Sequence, residues 1–188
     1  MIKNLFIIPN SRIKVIPLQT MTRLFLVRHG ETVDNVNRIM QGQTQGELTD
    51  NGRRQALEVM RRMESIKVDA FVSSDLKRSV DTCTIIARPH GMEIKTTKLL
   101  RERDWGGFTG RFIPDLKDEP WPDDVETLDA LLSRARTFIA FVKSEYPDRT
   151  VVAVGHGIIN KAIQAVHYGK EMRDVARMDN AEVRCLML

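Results

Sequence analysis

The sequence is poor in cysteine and in aromatic residues, and long apolar runs are missing from it. Its two cysteines, Cys83 and Cys185, lie far apart and form no CxxC motif. A disulfide framework or a cysteine zinc site is therefore not indicated, and we expect a reducing, cytoplasmic setting. No apolar stretch reaches the roughly 20 residues that a bilayer-spanning helix needs, so we expect no membrane partner.

Several motifs of other chemistries are also missing. The chain has no HExxH or HxH motif and no acidic cluster with ligand spacing, and Gly169-Lys170 is followed by Glu171 instead of the Ser or Thr of a P-loop. We therefore expect neither a metal ion nor a cofactor.

What is present fits one globular domain. The chain has 188 residues, of which 42% are hydrophobic and 29% charged, with a formal charge of +4. The basic pairs Arg53-Arg54 and Arg61-Arg62 flank apolar residues at helical spacing. This pattern predicts a solvated helix face, with a nucleic-acid-binding patch as the less favoured alternative, so we expect no nucleic-acid partner.

The first twenty residues differ from the rest. They contain no acidic residue, and Pro9 interrupts their apolar run before it resembles a secretory signal. We expect residues 1–20 to be an extension outside a domain that spans residues 21–188. An edge strand at 14–18 is the alternative.

Strand and helix patterns alternate along the domain. Buried strands are predicted at 23–27, 70–72 and 151–154, with a weaker strand at 93–99. Helices are predicted at 49–63, from about 73 to 87 with a Ser or Asp cap, at 125–144, and at 158–168 followed by Gly169. In the third helix, the expected apolar stripe consists of Val125, Leu128, Leu132, Ala135, Ile139 and Val142. The alternation predicts an α/β fold with a mainly parallel sheet and helices on both faces.

Charged residues follow the predicted strands at their carboxyl ends, where ligands bind in such sheets. The first strand runs into Arg28, His29, Gly30 and Glu31, and the last runs into His156 and Gly157. Arg78 lies in the first turn after the second strand, and Glu102 follows the weaker strand. We expect these side chains to converge on one rim.

This combination indicates phosphoryl transfer. A neutral imidazole held in one tautomer is a nucleophile toward phosphorus. Arginines stabilise the charge on the equatorial oxygens, and a carboxylic acid protonates the leaving alkoxide. His90 and His167 are interpreted as structural or surface residues, because one lies in a turn and the other near a helix end.

Four blocks of the sequence resemble the histidine phosphatase superfamily, in its phosphoglycerate-mutase-like branch. They are RHGET, SSDLKRSVDT, LRERDWGGFTG and VVAVGHG, and they occur in the order found in that family. The resemblance covers residues 21 to about 185. It implies a three-layer α/β/α sandwich, a phosphohistidine intermediate and no metal.

The resemblance also implies roles for single residues. His29 matches the phosphorylated nucleophile, Glu102 the acid, and Arg28, Arg78 and His156 the phosphate pocket. Asn35, Gln41 and Gly42 match positions that contact substrate, and we expect Gly30, Glu31 and Gly157 to contribute to substrate binding as well. Arg134 matches a structural arginine. Asp34 stands where many members have Trp, and such departures concern substrate recognition.

The segment after Glu102 favours a phosphatase over a mutase. Mutases of this family usually carry a long basic segment there, whereas residues 114–124 of this chain are rich in acids and have Lys117 as their only base. The expected substrate is a small phosphomonoester. A phosphoglycerate-mutase-type phosphotransferase and a catalytically weak phosphate-binding regulatory module remain alternatives. Whether the chain forms a homodimer is left open.

Overall fold

The computed structural model describes residues 21–188, so the predictions for residues 1–20 lie outside the described part. A five-stranded sheet forms the centre of the fold. Its strands are β1 (Arg23–Arg28), β2 (Ala70–Ser74), β3 (Ile94–Thr97), β4 (Thr150–Gly155) and β5 (Val183–Met187). Their order is β3-β2-β4-β1-β5, and only β5 is antiparallel to its neighbour.

Helices cover both faces of the sheet. They are α1 (Val33–Val36), α2 (Asp50–Met63), α3 (Lys77–Ala87), α4 (Leu128–Glu145) and α5 (Gly157–Tyr168). One apolar layer joins α4 and α5 to the sheet through side chains such as Leu26 and Ala153. The other joins α2 and α3 to the opposite face through Val27 and Val154. Because alternate residues of β1 and β4 enter opposite layers, the fold is the expected three-layer α/β/α sandwich.

The local sequence explains most helix ends. Thr49 caps α2 by accepting a hydrogen bond from the Gly52 amide at 2.9 Å, and Gly169 ends α5 in the left-handed conformation with φ +62°. Within residues 21–188, no helix combines the length and apolarity needed to cross a membrane.

Two predicted helix starts are wrong. Helix α3 begins at Lys77 without a side-chain cap, because Ser74 accepts from Leu76 in the preceding turn and Asp75 binds Arg101. Helix α4 begins at Leu128 instead of 125, since Thr127 caps it by accepting from the Ala130 amide.

The buried face of α4 also differs from the predicted stripe. It consists of Leu131, Ala135, Phe138 and Val142, whereas Leu128 is 46% exposed. Leu132 and Ile139 are only partly buried against the core. The predicted stripe is therefore displaced from the observed one by about one residue, and it omits Phe138, which is fully buried.

Strand β5 was not predicted. Only one of its five residues, Leu186, is fully buried, so its hydrophobic pattern is weak. It nevertheless pairs along β1, with Leu24 opposite Leu186 and Val27 opposite Val183. The preceding loop is thereby drawn across the end of β1, which positions residues 177–182 beside the candidate site.

Candidate active site

The carboxyl ends of β1 and β4 place two histidines side by side. The strands are adjacent and parallel, with Arg28 paired to Gly155, so the next residue of each strand is a histidine. The rings of His29 and His156 lie 5.0 Å apart between centroids. With Arg28 and Arg78 they form a group of four buried side chains, each no more than 7% exposed, which we call the phosphate cage.

The tautomer of His29 follows from its hydrogen bond. Its Nδ1 lies 2.7 Å from the carbonyl oxygen of Gly30, and because a carbonyl only accepts, Nδ1 carries the proton. Nε2 is then the unprotonated nitrogen, and Arg78 Nε lies 3.4 Å from it. Burial, followed by the charges of Arg78 and Arg28, holds the pKa of His29 well below its usual 6.5. His29 is therefore a neutral imidazole at neutral pH, and the lone pair of its Nε2 faces the Arg78 guanidinium.

Arg78 is held by the loop that precedes α2. Its guanidinium donates to the carbonyl oxygens of Thr44 and Gly42, the latter at 2.9 Å. Burial lowers its pKa to about 10, so it stays charged at neutral pH. The loop carbonyls thus fix the direction of this cation while Nε points to His29.

Arg28 is fixed by fewer contacts. Its Nη1 donates to the carbonyl oxygen of Met178 at 2.8 Å, whereas its buried Nε has no hydrogen-bond partner within residues 21–188. Burial, and then the nearby charge of Arg177, lowers the pKa of Arg28 to about 10. It also remains a cation.

His156 has no partner on either ring nitrogen in the described part of the chain, although it is fully buried. Burial and the charge of Arg78 hold its pKa well below 6.5. Buried polar atoms are nearly always hydrogen-bonded in proteins, so these unpartnered nitrogens indicate a place for a ligand.

Glu102 is positioned by two separate elements. Arg134 of α4 binds the carbonyl oxygens of Leu99 and Arg101 at 3.0 and 2.6 Å, which fixes the backbone beside Glu102. The Oε1 atom of Glu102 accepts from the amides of Arg103, Ile158 and Ile159 at 2.9, 3.1 and 3.2 Å. Among residues 21–188, Oε2 accepts only from Ile158, at 3.2 Å, and is therefore the less encumbered oxygen.

A cavity of about 260 Å³ opens over the cage; Arg28, His29 and Arg78 line it, whereas the fully buried His156 does not. Of the residues predicted to bind substrate, Asn35, Gln41 and Gly42 line it. The side-chain Nε2 of Gln41 donates to the Thr32 hydroxyl at 2.8 Å. Its buried Oε1 has no hydrogen-bond partner among residues 21–188. The side-chain Oδ1 of Asn35 accepts from the Thr32 amide in capping α1 and from Asn180 Nδ2 at 3.1 Å.

Three other predicted residues do not line the cavity. A side chain at Gly30 would place its Cβ 2.4 Å from the carbonyl oxygen of Gly52, so this glycine serves the packing of α2 against β1. Glu31 accepts from the Thr49 hydroxyl at 2.7 Å. At Gly157 a Cβ would lie 3.1 Å from Arg177 Nε, so its glycine leaves room for that arginine.

Several residues of the cavity were not predicted. They are Ile39, Met40, Trp105, Ile113, Ile158 and Arg177. Ile158 directly follows the GHG block. This position next to a predicted site motif was the one feature of the sequence that could have identified a residue of this group. Arg177 lies in an irregular segment that only the pairing of β5 with β1 brings to the site. Across residues 21–188, no cluster of three or more His, Cys, Asp or Glu side chains is arranged to hold a metal ion.

Comparison with known proteins decides the family. The family model of the histidine phosphatase superfamily (branch 1) matches residues 24–188. The chain belongs to the histidine phosphatase superfamily. It is 32% identical to the uncharacterized phosphatase PhoE of Bacillus subtilis (strain 168) over 166 residues, which cover 86% of each protein.

Other members of the superfamily carry names of both activities. Phosphoglycerate mutase-like protein 4 of Arabidopsis thaliana is 33% identical over 74% of this chain and 68% of that protein. A mycobacterial glucosyl-3-phosphoglycerate phosphatase, solved with VO3, superposes with a TM-score of 0.80 at 27% identity over 88% of this chain and 96% of that one. These similarities support a phosphatase or a phosphoglycerate-mutase-like enzyme.

Proposed function

We propose that this member of the histidine phosphatase superfamily is a phosphomonoesterase that acts on small phosphorylated metabolites through a phosphohistidine on His29, without a metal ion. The observation that carries the proposal is the state of His29. Its Nδ1 proton is engaged by Gly30, its pKa is held low, and its Nε2 lone pair lies beside Arg78 in the cage.

In the first step, His29 Nε2 attacks phosphorus and the bond between phosphorus and the ester oxygen breaks. Arg28 and Arg78 stabilise the charge on the equatorial oxygens, and neutral His156 donates its one ring N–H to a phosphoryl oxygen. The ester oxygen leaves with a proton from Glu102. Oε2 is the oxygen that carries this proton, since the three amides at Oε1 leave no room for it there.

In the second step, water attacks the phosphohistidine. Glu102, now a carboxylate, takes the proton from that water, and the bond between phosphorus and Nε2 breaks. Orthophosphate and neutral His29 result, so atoms and charges balance over the cycle. The α5 amides that hold Glu102 keep its oxygens in one place for both proton transfers.

The unpartnered polar atoms support this assignment of the cage. Arg28 Nε and both nitrogens of His156 are buried without partners in the described residues. A tetrahedral phosphate has enough acceptor oxygens for Arg28 Nε, for the one N–H of neutral His156 and for Arg78 at once. The two arginines supply the positive charge that such a reaction otherwise draws from a metal ion.

The segment between Glu102 and α4 favours phosphatase activity over mutase activity. We call residues 103–126, which lie between Glu102 and α4, the lid. Its excess of acids, among them Asp118, Asp123 and Asp124, disfavours the approach of a bisphosphorylated ligand through long-range charge, since none of these three lines the cavity. Cys83 and Cys185 are both free, which supports a cytoplasmic setting as part of the proposal.

Trapping the phosphoenzyme tests the proposal directly. Wild-type protein mixed with a ³²P-labelled phosphomonoester and quenched in base should carry an acid-labile phosphate on His29, and it should release orthophosphate in the presence of EDTA. His29→Ala should lose both, while a cooperative unfolding transition in urea shows that the variant is still folded. Phosphate release by His29→Ala within tenfold of wild type would overturn the nucleophile assignment.

Phosphotransfer of the mutase type is the second candidate. It is favoured by relatives named probable phosphoglycerate mutase GpmB, although the match to the Salmonella choleraesuis protein covers only 53% of this chain and 46% of that one. The same labelled phosphoenzyme separates the two candidates. Transfer of label to an added phosphoglycerate faster than to water would favour the mutase.

A further inference from the structure

Gln43 lies in the loop that holds Arg78, but its side chain faces away from the cavity over the cage. The loop turns between Gln41 and Thr44, where the Thr44 amide donates to the Gln41 carbonyl oxygen at 3.1 Å. Gly42 permits this turn, since its φ of +51° favours glycine. Gln41 and Gly42 line the cavity over the cage, whereas Gln43 lines a separate cavity of about 400 Å³. Gln43 therefore acts on a substrate in the cage only through other residues.

The side-chain amide of Gln43 is fixed at both ends. Its Nε2 donates to the carbonyl oxygen of Glu102 at 3.2 Å, and its Oε1 accepts from Arg101 Nη1 at 3.2 Å. Because a guanidinium only donates and a carbonyl only accepts, the two partners determine which end of the amide faces Glu102. Arg134 of α4 also donates to this carbonyl oxygen, at 3.4 Å. The backbone of Glu102 is thus held from α4 and from the loop.

Arg101 is itself held by Asp75, which lies two residues before α3. The Nε and Nη2 atoms of Arg101 donate to the two carboxylate oxygens of Asp75 at 2.7 and 2.6 Å. These hydrogen bonds lower the pKa of Asp75, so the pair is charged at neutral pH. A bidentate pair fixes the plane of the guanidinium. Arg101 therefore offers its remaining Nη1 to Gln43 in a defined direction.

The loop connects the cage to the acid of the proposed function. The carbonyl oxygens of Gly42 and Thr44, on either side of Gln43, accept from the guanidinium of Arg78. Gln43 between them holds the carbonyl oxygen of Glu102. A cation of the cage and the backbone of the acid are thus attached to three consecutive residues. A shift of Glu102 relative to Arg78 has to break one of these contacts.

We propose that Gln43 is a positioning residue that sets the distance between the proton donor Glu102 and the phosphate held by Arg78. This rests on the proposed function, in which Glu102 protonates the leaving group. Proton transfer requires the acid within hydrogen-bond reach of the ester oxygen, so a small displacement of Glu102 slows the step that uses its proton. Loss of the Gln43 contact should therefore slow the release of poor leaving groups and spare good ones.

The dependence on the leaving group tests this role. The measurement is kcat/KM for an alkyl phosphate and for p-nitrophenyl phosphate, because this constant reports the stabilisation of the transition state. Gln43→Leu removes both hydrogen bonds of the amide. Gln43→Glu keeps the length of the side chain and the contact with Arg101, but it turns an acceptor toward the carbonyl oxygen of Glu102. Each variant should lose about tenfold on the alkyl phosphate, the size of one hydrogen bond, and about twofold or less on p-nitrophenyl phosphate.

Two further variants separate positioning from general damage to the loop. Gln45→Leu is the matched control, since Gln45 Oε1 accepts from the Lys77 amide at 2.9 Å and the variant removes a hydrogen bond of the same loop that does not reach Glu102. It should leave the ratio of the two kcat/KM values unchanged. Gln43→Leu combined with Glu102→Gln has no acid left to position. The double variant should therefore lose no more on the alkyl phosphate than Glu102→Gln alone.

The outcomes distinguish this proposal from the proposed function. Equal losses of Gln43→Glu on the two substrates, or additive losses in the double variant, would show a general structural role and overturn the proposal while the proposed function stands. Wild-type kcat/KM of Gln43→Glu on both substrates would show that the contact with Glu102 is not needed, and would overturn it as well. Equal losses of Glu102→Gln on both substrates would contradict the acid of the proposed function and, with it, the role of Gln43.

Discussion

The phosphate cage and the lid cover the same cavity, but they are built in different ways. The cage residues follow directly from the ends of β1 and β4 and from the first turn of α3, and they are almost fully buried. The lid has only a small cluster of its own, consisting of Phe108, Leu116 and Val125. It leaves Phe112, Ile113 and Trp121 between 41% and 58% exposed.

This difference indicates that the cage determines the rate of the chemical steps, whereas the lid determines which substrates bind. A buried cation at a strand end keeps its direction because the core cannot adjust around it. A satellite cluster with exposed side chains can be replaced piece by piece without disturbing the sheet. Substitutions in the cage should therefore change kcat by large factors, and those in the lid should change KM by small ones.

After His29→Ala, which should abolish turnover, the largest effect is expected at Arg78. Arg78→Ala should lower turnover by roughly 10²-fold or more, the scale of removing one donor to a developing charge. Arg78→Lys keeps the charge but cannot reach His29, Gly42 and Thr44 together, so it should recover only part of the loss. The measurement is steady-state kinetics with vanadate inhibition, and Arg88→Ala, an exposed arginine just past α3, is the control. Unchanged vanadate inhibition in Arg78→Ala would remove this residue from the cage.

The border between cage and lid is tested at Glu102. Glu102→Gln preserves shape but cannot donate a proton from a carboxylic acid, so it should lose about 10²-fold on alkyl phosphates. On p-nitrophenyl phosphate, whose leaving group needs little protonation, the loss should be under tenfold. Steady-state kinetics of Glu102→Gln on both substrates test whether Glu102 is the general acid. Equal losses would mean that Glu102 serves positioning or water activation and is not the acid.

Most of the cage could be predicted from the sequence, because Arg28, His29 and His156 end or directly follow strong buried strands and Arg78 lies in the first helical turn after another. What could not be predicted is how it is held. Nothing in the spacing of Glu102 and Ile158 shows that the α5 amides bind the carboxylate. Arg177 follows no strand or motif, and it reaches the cavity only because the weakly patterned β5 pairs with β1. The glycine after His29 suggested ligand contact, whereas its close approach to Gly52 belongs to helix packing.

Burial of the cage should make stability depend on pH. The pKa of His156 is held well below 6.5 in the folded protein, whereas an unfolded histidine has a pKa of about 6.5. Below that pH the unfolded chain binds a proton that the folded chain does not, so stability falls as the pH falls. Between pH 6.5 and 5.5 this one group costs about 1 kcal/mol.

The free energy of unfolding in urea, measured for wild type and for His156→Gln at pH 6.5 and 5.5, gives the contribution of His156 to this loss of stability. The variant should lose about 1 kcal/mol less than wild type over the interval, whatever its stability at pH 6.5. If both proteins lost the same stability over this interval, His156 would be protonated in the folded state, and the cage would be more accessible to water than its burial indicates.

The smallest effect is expected in the lid at Trp121. The Arg103 guanidinium lies 4.8 Å from the Trp121 ring and 4.9 Å from the ring of Trp105, which lines the cavity. Trp121→Ala removes one face of this stack, so Trp105 should become more mobile at the cavity wall. An exposed cation–π contact contributes about 0.5–1 kcal/mol, which corresponds to a change in KM of about two- to fivefold with kcat unchanged.

Two variants sharpen that test. Trp121→Phe keeps an aromatic face and should restore most of the KM, which a purely structural loss would not. Tyr168→Ala removes another exposed aromatic ring beneath a cation, Lys170, at the far end of α5, and it should change neither constant. A fall in kcat of tenfold or more in Trp121→Ala would show that the lid takes part in the chemical steps, and the separation of cage from lid would then fail.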